Sequence, residues 1–122
     1  MDEGQPIFVQ LMEIVENDIL TGVYRTDDLI VSTNQIAKLY SVNPTTAVKA
    51  VGKLADEGIL YKKRGIGMCV APGALDAIRA RRRERFAHQT LRAVLDEAAT
   101  LGIGTDELVA MLRAPQKGDD HD

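Results

Sequence analysis

The 122-residue sequence holds a single cysteine, Cys69, and two histidines, His88 and His121. One thiol excludes an internal disulfide, and with the histidines far apart a cysteine-rich zinc site is excluded as well. Such sparing thiol usage suits a reducing compartment. Beside Val70 in a strand candidate, Cys69 reads as a small buried hydrophobe rather than a redox sensor. Tryptophan is absent and aromatics reach only 4%, so stacking platforms for single-stranded nucleic acid are scarce. No apolar run approaches the roughly 20 residues that cross a bilayer. The acidic opening Met1-Asp2-Glu3 carries no signal-peptide core, and the expected location is the cytoplasm with no membrane partner. Catalytic patterns are missing too. No Ser-His-Asp set, glycine-rich phosphate loop or paired carboxylates stand in a supporting context, so the chain is expected not to be an enzyme and to need no cofactor or metal.

What is present is a hydrophobic fraction of 45%, enough for one modest core with a small appendage. The net charge of −3 looks unfavourable for a polyanion until it is divided along the chain. Residues 1–33 hold one basic and seven acidic side chains, residues 34–85 eleven basic and four acidic, and residues 86–122 three basic and seven acidic. A basic middle thus lies between acidic ends, and local field rather than total charge steers a charged ligand.

Apolar spacing predicts the elements. Ile7, Leu11, Ile14, Val15 and Leu20 recur at helical intervals between Pro6 and Gly22, which act as entry and stop. Ser32-Thr33-Asn34-Gln35 has the Ser-x-x-Gln form of a capping box for a short second helix ending near Ser41-Val42;. Asn43-Pro44 reads as a cap and first-turn proline for a third helix to about Glu57, with Ala47, Ala50, Val51 and Leu54 inward;. Residues 59–64 and 67–70 are strand candidates around Gly65-Ile66-Gly67;. After Pro72-Gly73 a long helix is expected from Ala74 to about Thr100. A short one capped by Thr105 should then run to about Arg113;. The predicted fold class is mainly α with a small β-hairpin, an N-terminal winged helix-turn-helix plus a C-terminal two-helix dimerisation part.

In a winged helix-turn-helix the third helix puts its leading turn against base edges in the major groove, so that turn must expose short polar groups. Asn43, Thr45 and Thr46 supply them here, with Lys49 one turn on. Free N–H groups at the helix start add an attraction for phosphate. Lys62, Lys63 and Arg64 precede the glycine tip of the hairpin and can meet phosphate or the minor groove;.

These features resemble the GntR family of bacterial regulators. The resemblance rests on Pro6-Ile7-Phe8-Val9-Gln10-Leu11, the block Ser32 to Ala37 and Val42-Asn43-Pro44-Thr45-Thr46. Lys49-Ala50, Leu54-Ala55-Asp56-Glu57-Gly58 and Arg64-Gly65-Ile66-Gly67 extend it. It implies operator contacts from Ser32, Thr45, Thr46, Lys49, Arg64, Gly65 and Gly67, with Thr33 and Asn34 in the same second-helix block. The short remainder resembles the YtrA-type subgroup, whose small helical C-terminal part dimerises. The chain departs from the family at two positions. Val31-Ser32-Thr33-Asn34 stands where Pro-Ser-x-Arg is usual, so Asn34 replaces an arginine, and Val48 stands where a basic or polar residue is common.

An apolar set on the last two helices, Phe86, Leu91, Val94, Leu95, Ala98 and Leu101 with Leu108, Met111 and Leu112, must be covered;. One short helix can hardly cover it, and a second copy in an isologous homodimer is the economical solution. The arginines between Arg79 and Arg85 are expected to face phosphates or an acidic partner surface. The expected organisation is a DNA-binding domain over 1–71, a dimerisation region over 72–114 and a flexible acidic tail over 115–122. Together these imply a bacterial repressor for double-stranded operator DNA of palindromic form, with room for an unidentified small-molecule effector in a dimer or domain crevice. The alternative is a winged-helix module that binds another protein through its basic centre.

Overall fold

The computed structural model describes residues 4–115. The expected frayed tail beyond Pro115, His121 and the first three residues lie outside that range. Six α-helices and one antiparallel hairpin follow in the order α1 Ile7–Leu20, α2 Thr33–Leu39, α3 Pro44–Asp56, β1 Leu60–Lys63, β2 Gly67–Val70, α4 Ala74–Arg85, α5 Leu91–Thr100 and α6 Thr105–Arg113. The predicted class, mainly α with one small β-hairpin, is the observed one.

The local chemistry explains each boundary. Ser32 and Gln35 form the capping box at the start of α2, with the Gln35 N–H donating to Ser32 Oγ at 3.1 Å and the Ser32 N–H to Gln35 Oε1 at 3.1 Å. The turn between α2 and α3 is closed by Ser41 at φ +53°. The Val42 N–H reaches the Ala37 carbonyl at 3.0 Å and the Ser41 N–H the Lys38 carbonyl at 3.4 Å, so two carbonyls of the last turn of α2 are satisfied in a six-to-one, five-to-two loop. Serine adopts this left-handed geometry less readily than glycine, and the two bonds hold it there. The end of α3 uses the same pattern, from Ile59 to Leu54 and from Gly58 to Ala55, with Gly58 at the position that requires positive φ;.

The described chain divides into two compact units that meet between Arg82 and Arg83. In the first, α1 and α2 pack on the inner face of α3. Leu11, Val15 and Ile19 meet Ile36, Ala37, Ala47, Ala50, Val51 and Leu54, and Leu60, Val70, Ala74 and Ile78 close the cluster from the hairpin and α4. The hairpin pairs Leu60 with Val70 and Lys63 with Gly67. Its second strand has an unpredicted neighbour. Leu29 bridges Cys69, the Ile30 N–H donates to the Met68 carbonyl and the Val70 N–H to the Asp28 carbonyl, both at 3.0 Å. This segment is too short, and too acidic at its start, to show the alternation of a strand. Cys69 is buried, as its apolar setting predicts.

Two details of the last helices differ from expectation. The single long helix from Ala74 is interrupted by a π-helical turn at Phe86–Thr90, a one-residue widening that apolar periodicity does not register. Thr105 is the first residue of α6 rather than its cap. Gly104 holds the cap position and no side chain caps there.

The arginine run also differs. Within the first unit, Glu16 of α1 is buried, at 5% exposure, between two guanidinium groups of α4. Arg81 bonds one carboxylate oxygen of Glu16, and Arg82 donates to the other at 3.1 Å. Arg81 also reaches Glu57 at 2.9 Å and Arg82 reaches Asn17 Oδ1 at 2.9 Å. These two arginines are therefore engaged by acidic groups of their own unit, with Arg82 largely covered and Arg81 still half-exposed. Removing one member of such a cluster leaves the remaining charge uncompensated. Glu16→Ala is expected to lower the unfolding free energy by about 3 kcal/mol, measured by urea denaturation. Arg81→Ala should cost less because that side chain is 48% exposed;. An unaltered urea midpoint in Glu16→Ala would contradict this assignment.

Candidate nucleic-acid interface

The candidate surface is assembled from α2, the start of α3 and the hairpin. The buried positions of α3, Ala47, Ala50, Val51 and Leu54, lie on one side of a helix that turns about 100° per residue. Thr45, Val48, Lys49 and Gly52 consequently face away from the core, and all four are exposed. Thr46 flanks that face and is half-buried.

The leading turn of α3 is more self-contained than a bare helix start. Asn43 Oδ1 accepts the Thr45 N–H at 2.8 Å, the Asn43 carbonyl accepts the Thr46 N–H at 2.9 Å, and Pro44 has no N–H. The N–H groups of Thr45 and Thr46 are thus already bonded, and the exposed polar groups of this turn are mainly its side chains. Lys49 is likewise engaged, its Nζ 4.2 Å from the centroid of the Phe8 ring of α1. A cation over an aromatic face is attracted by the ring quadrupole, so Lys49 has an intramolecular contact while remaining exposed.

On the second helix Ser32 and Asn34 are exposed and Thr33 is half-buried. Ser32 acts first as the cap of α2. A cleft of about 180 Å³ brings this helix start together with the wing tip, lined by Ser32, Thr33 and Gln35 on one side and Ile66, Gly67 and Met68 on the other. Lys62, Lys63, Arg64 and Gly65 are exposed along and beyond β1, and among the described residues none of the three cations is held in an ion pair. Gly67 has a structural reason of its own. It sits at φ +136°, and a Cβ there would lie 3.0 Å from Leu29 Cδ1.

The base of the wing is tied down by a contact that spacing could not reveal. Tyr61 of β1 donates its hydroxyl to Asp27 Oδ1 at 2.7 Å. Asp27 itself has φ +71°, and its N–H donates to the Val70 carbonyl at 2.8 Å. Tyr61 and Asp27 stand 34 positions apart, and neither belongs to a motif. The Phe8–Lys49 contact was equally hidden, although Phe8 lies in the opening block that the sequence singles out.

The second unit presents the other candidate residues. Ala98 is buried, Leu95 and Leu108 are half-buried, and Phe86, Leu91, Val94, Leu101, Met111 and Leu112 are exposed. A shallow apolar hollow of about 160 Å³ lies among Val94, Ala98, Leu101, Ile103, Leu108 and Met111. His88 is exposed, and among the described residues no group of three or more potential metal ligands is present. No helix of the described chain is long and apolar enough to cross a membrane.

The family model for bacterial regulatory proteins, gntR family, matches residues 9–70, the segment that builds α1 through β2. The chain belongs to the GntR family. Among curated relatives, the HTH-type transcriptional repressor YtrA of Bacillus subtilis is 30% identical over 69 residues, covering 57% of this chain and 53% of YtrA. The chain spans between about a quarter and about half the length of the curated relatives it matches first. Among solved structures, a GntR family transcriptional regulator from Listeria monocytogenes aligns over 95% of this chain and 100% of its own, at 26% identity and a TM-score of 0.71. The DNA-binding domain of AraR in complex with its operator ORX1 aligns over 58% of this chain and 87% of its own, at 30% identity and a TM-score of 0.54. For this GntR member both alignments support the winged-helix reading of the first unit.

The Tyr61–Asp27 contact gives a test of the wing's anchorage. The hydrogen bond to Asp27, followed by desolvation and the charge of Asp27, pushes the Tyr61 hydroxyl up to about 12 from its usual 10;. A folded-state value above the unfolded one makes this contribution complete below pH 10 and lost as pH rises through about 12;. Ultraviolet titration should show a tyrosine ionising near pH 12, and Asp27→Asn should bring it back towards the ordinary range. Retention of the high value in Asp27→Asn would assign the shift elsewhere.

Proposed function

We propose that this chain is a sequence-specific DNA-binding transcription repressor that recognises a palindromic operator as an isologous homodimer. The observation that carries this reading is the convergence of the exposed leading face of α3, the start of α2 and three exposed wing cations on one unit of a GntR-family chain. Double-stranded DNA fits this combination. Cations on a hairpin hold phosphates, while short side chains on a helix meet base edges. AraR's domain, solved on its operator, supports the same use of the fold here.

Residues 1–71 are assigned to DNA binding, 72–114 to dimerisation and 115–122 to an acidic tail. The first turns of α4, through Arg82, pack with the DNA-binding unit. The apolar residues exposed on α5 and α6 are the reason for the dimer, because such a face is covered in a stable assembly. A YtrA-like subgroup is supported by the similarity to a repressor of that name and by a small helical second unit. It is supported also by the Listeria regulator, whose whole chain is matched. The cytoplasm is the compartment this function requires.

Binding to duplexes selected from a random pool by the purified protein tests the proposal. A palindrome should be enriched, and log affinity should fall with log salt by about 0.9 per phosphate neutralised. Lys62→Ala should weaken every duplex alike and reduce that slope by about 1. Thr45→Ala should weaken the selected palindrome about tenfold, with random DNA little changed. Binding without salt dependence, or no enriched palindrome, leaves the protein-binding module as the better account. For the dimer, the double substitution Leu91→Glu and Leu101→Glu is expected to convert the protein to a monomer in sedimentation equilibrium. An unchanged mass would place the interface elsewhere.

A further inference from the structure

The outward face of α3 carries a residue that the fold does not use. Val48 is 55% exposed and lies three residues after Thr45, on the flank of the helix beside the buried stripe of Ala47, Ala50, Val51 and Leu54. A β-branched residue is a weaker helix former than the alternatives available at a solvent-facing position, and more than half of this one's surface is left in water. Its neighbour Lys49 is tied to Phe8, so the closest cation on the helix belongs to the contact with α1. One turn beyond Val48 stands Gly52, also exposed. An added Cβ there would meet nothing within 4 Å, and no turn or packing contact requires a glycine. Glycine nevertheless weakens a helix interior. Both choices are unfavourable for an isolated helix in water, and both suit a helix pressed against another surface.

We infer that Val48 selects thymine through its 5-methyl group in the major groove, with Gly52 keeping the adjacent helix surface low enough for that contact. The inference rests on the DNA-binding reading above. In the major groove thymine is distinguished by its C5 methyl as well as its O4 acceptor, whereas cytosine offers an amino donor. An isopropyl group has no hydrogen-bonding atoms and can meet only the methyl. Apolar contact replaces hydrogen bonding at this position, and the base it favours is fixed by that chemistry. Thr45, one turn earlier on the same face, retains a hydroxyl for the neighbouring edge.

The experiment uses the full chain and the duplex it enriches from a random pool, with thymines replaced one at a time by uracil. Uracil keeps the pairing and O4 but lacks the methyl. At one thymine in each half-site the replacement should weaken binding about fourfold, the effect of one buried methyl-sized group at ~0.8 kcal/mol. Val48→Ala should bind the thymine and uracil duplexes equally. Gly52→Ala should raise the melting temperature of the free protein yet weaken its binding to the thymine duplex. Tight binding with no thymine sensitive to uracil, or full sensitivity retained in Val48→Ala, overturns the role of Val48 and leaves DNA binding intact. A chain that enriches no duplex overturns both readings.

Discussion

Two small residues on the inner face of α3 set the geometry of the first unit. Ala47 and Ala50 are essentially without exposure, and their single methyl groups let α1 and α2 come close while Val51 and Leu54 fill the space beside them. Interiors packed at crystal-like density tolerate little change in volume, so this stripe fixes the rotation of α3 about its own axis. The opposite face is thereby turned to solvent, and with it Thr45, Val48, Lys49 and Gly52. What that helix can touch follows from what it buries. The hairpin is placed by the same core, since Leu60 and Val70 are anchored in it while Lys62 and Lys63 continue the strand outward.

Electrostatics divides the basic middle of the chain into two populations. The wing cations stay exposed without ion pairs among the described residues, whereas Arg81 and Arg82 fold onto Glu16. Counting charges along the sequence treats these alike. The difference arises because a carboxylate removed from water must be compensated, and Glu16 occupies a core-facing position one turn from Met12 and one from Ile19. Arginine suits such a place better than lysine, since its planar fork can reach two acceptors at once. Here Arg81 bridges Glu16 and Glu57, and Arg82 bridges Glu16 and Asn17.

Most of the fold was legible because its signals are local. The Ser32–Gln35 box, the Asn43-Pro44 start and the Gly58 stop act within one helical turn, and the helices begin and end where those residues stand. The inward positions of α3 followed from their spacing alone. What escaped depends on partners distant in sequence or on geometry without a residue signature. The Leu29 bridge, the Tyr61–Asp27 bond and the Phe8–Lys49 contact each join separate elements, and the π turn leaves apolar spacing almost unchanged. At the candidate site the residue types were readable, but their engagement was so only in part. Asn43 was readable as the cap it proves to be, whereas Lys49 could be named only as a polar group of the leading turn, and its contact with an aromatic ring appears only in the coordinates.

Glu16 and its partners are separated by 65 and 66 positions, and that distance has a consequence for how the protein is made. As the chain leaves the ribosome, α1, α2, α3 and the hairpin emerge before either arginine. During that interval the Glu16 carboxylate has neither guanidinium to meet, and sealing it into the interior would carry the full desolvation penalty of a lone ion. Completion of the first unit therefore waits for the ninth decade of the sequence. A nascent chain arrested after the hairpin would hold α1, α2 and α3 and still lack the counter-charges that Glu16 meets in the finished unit.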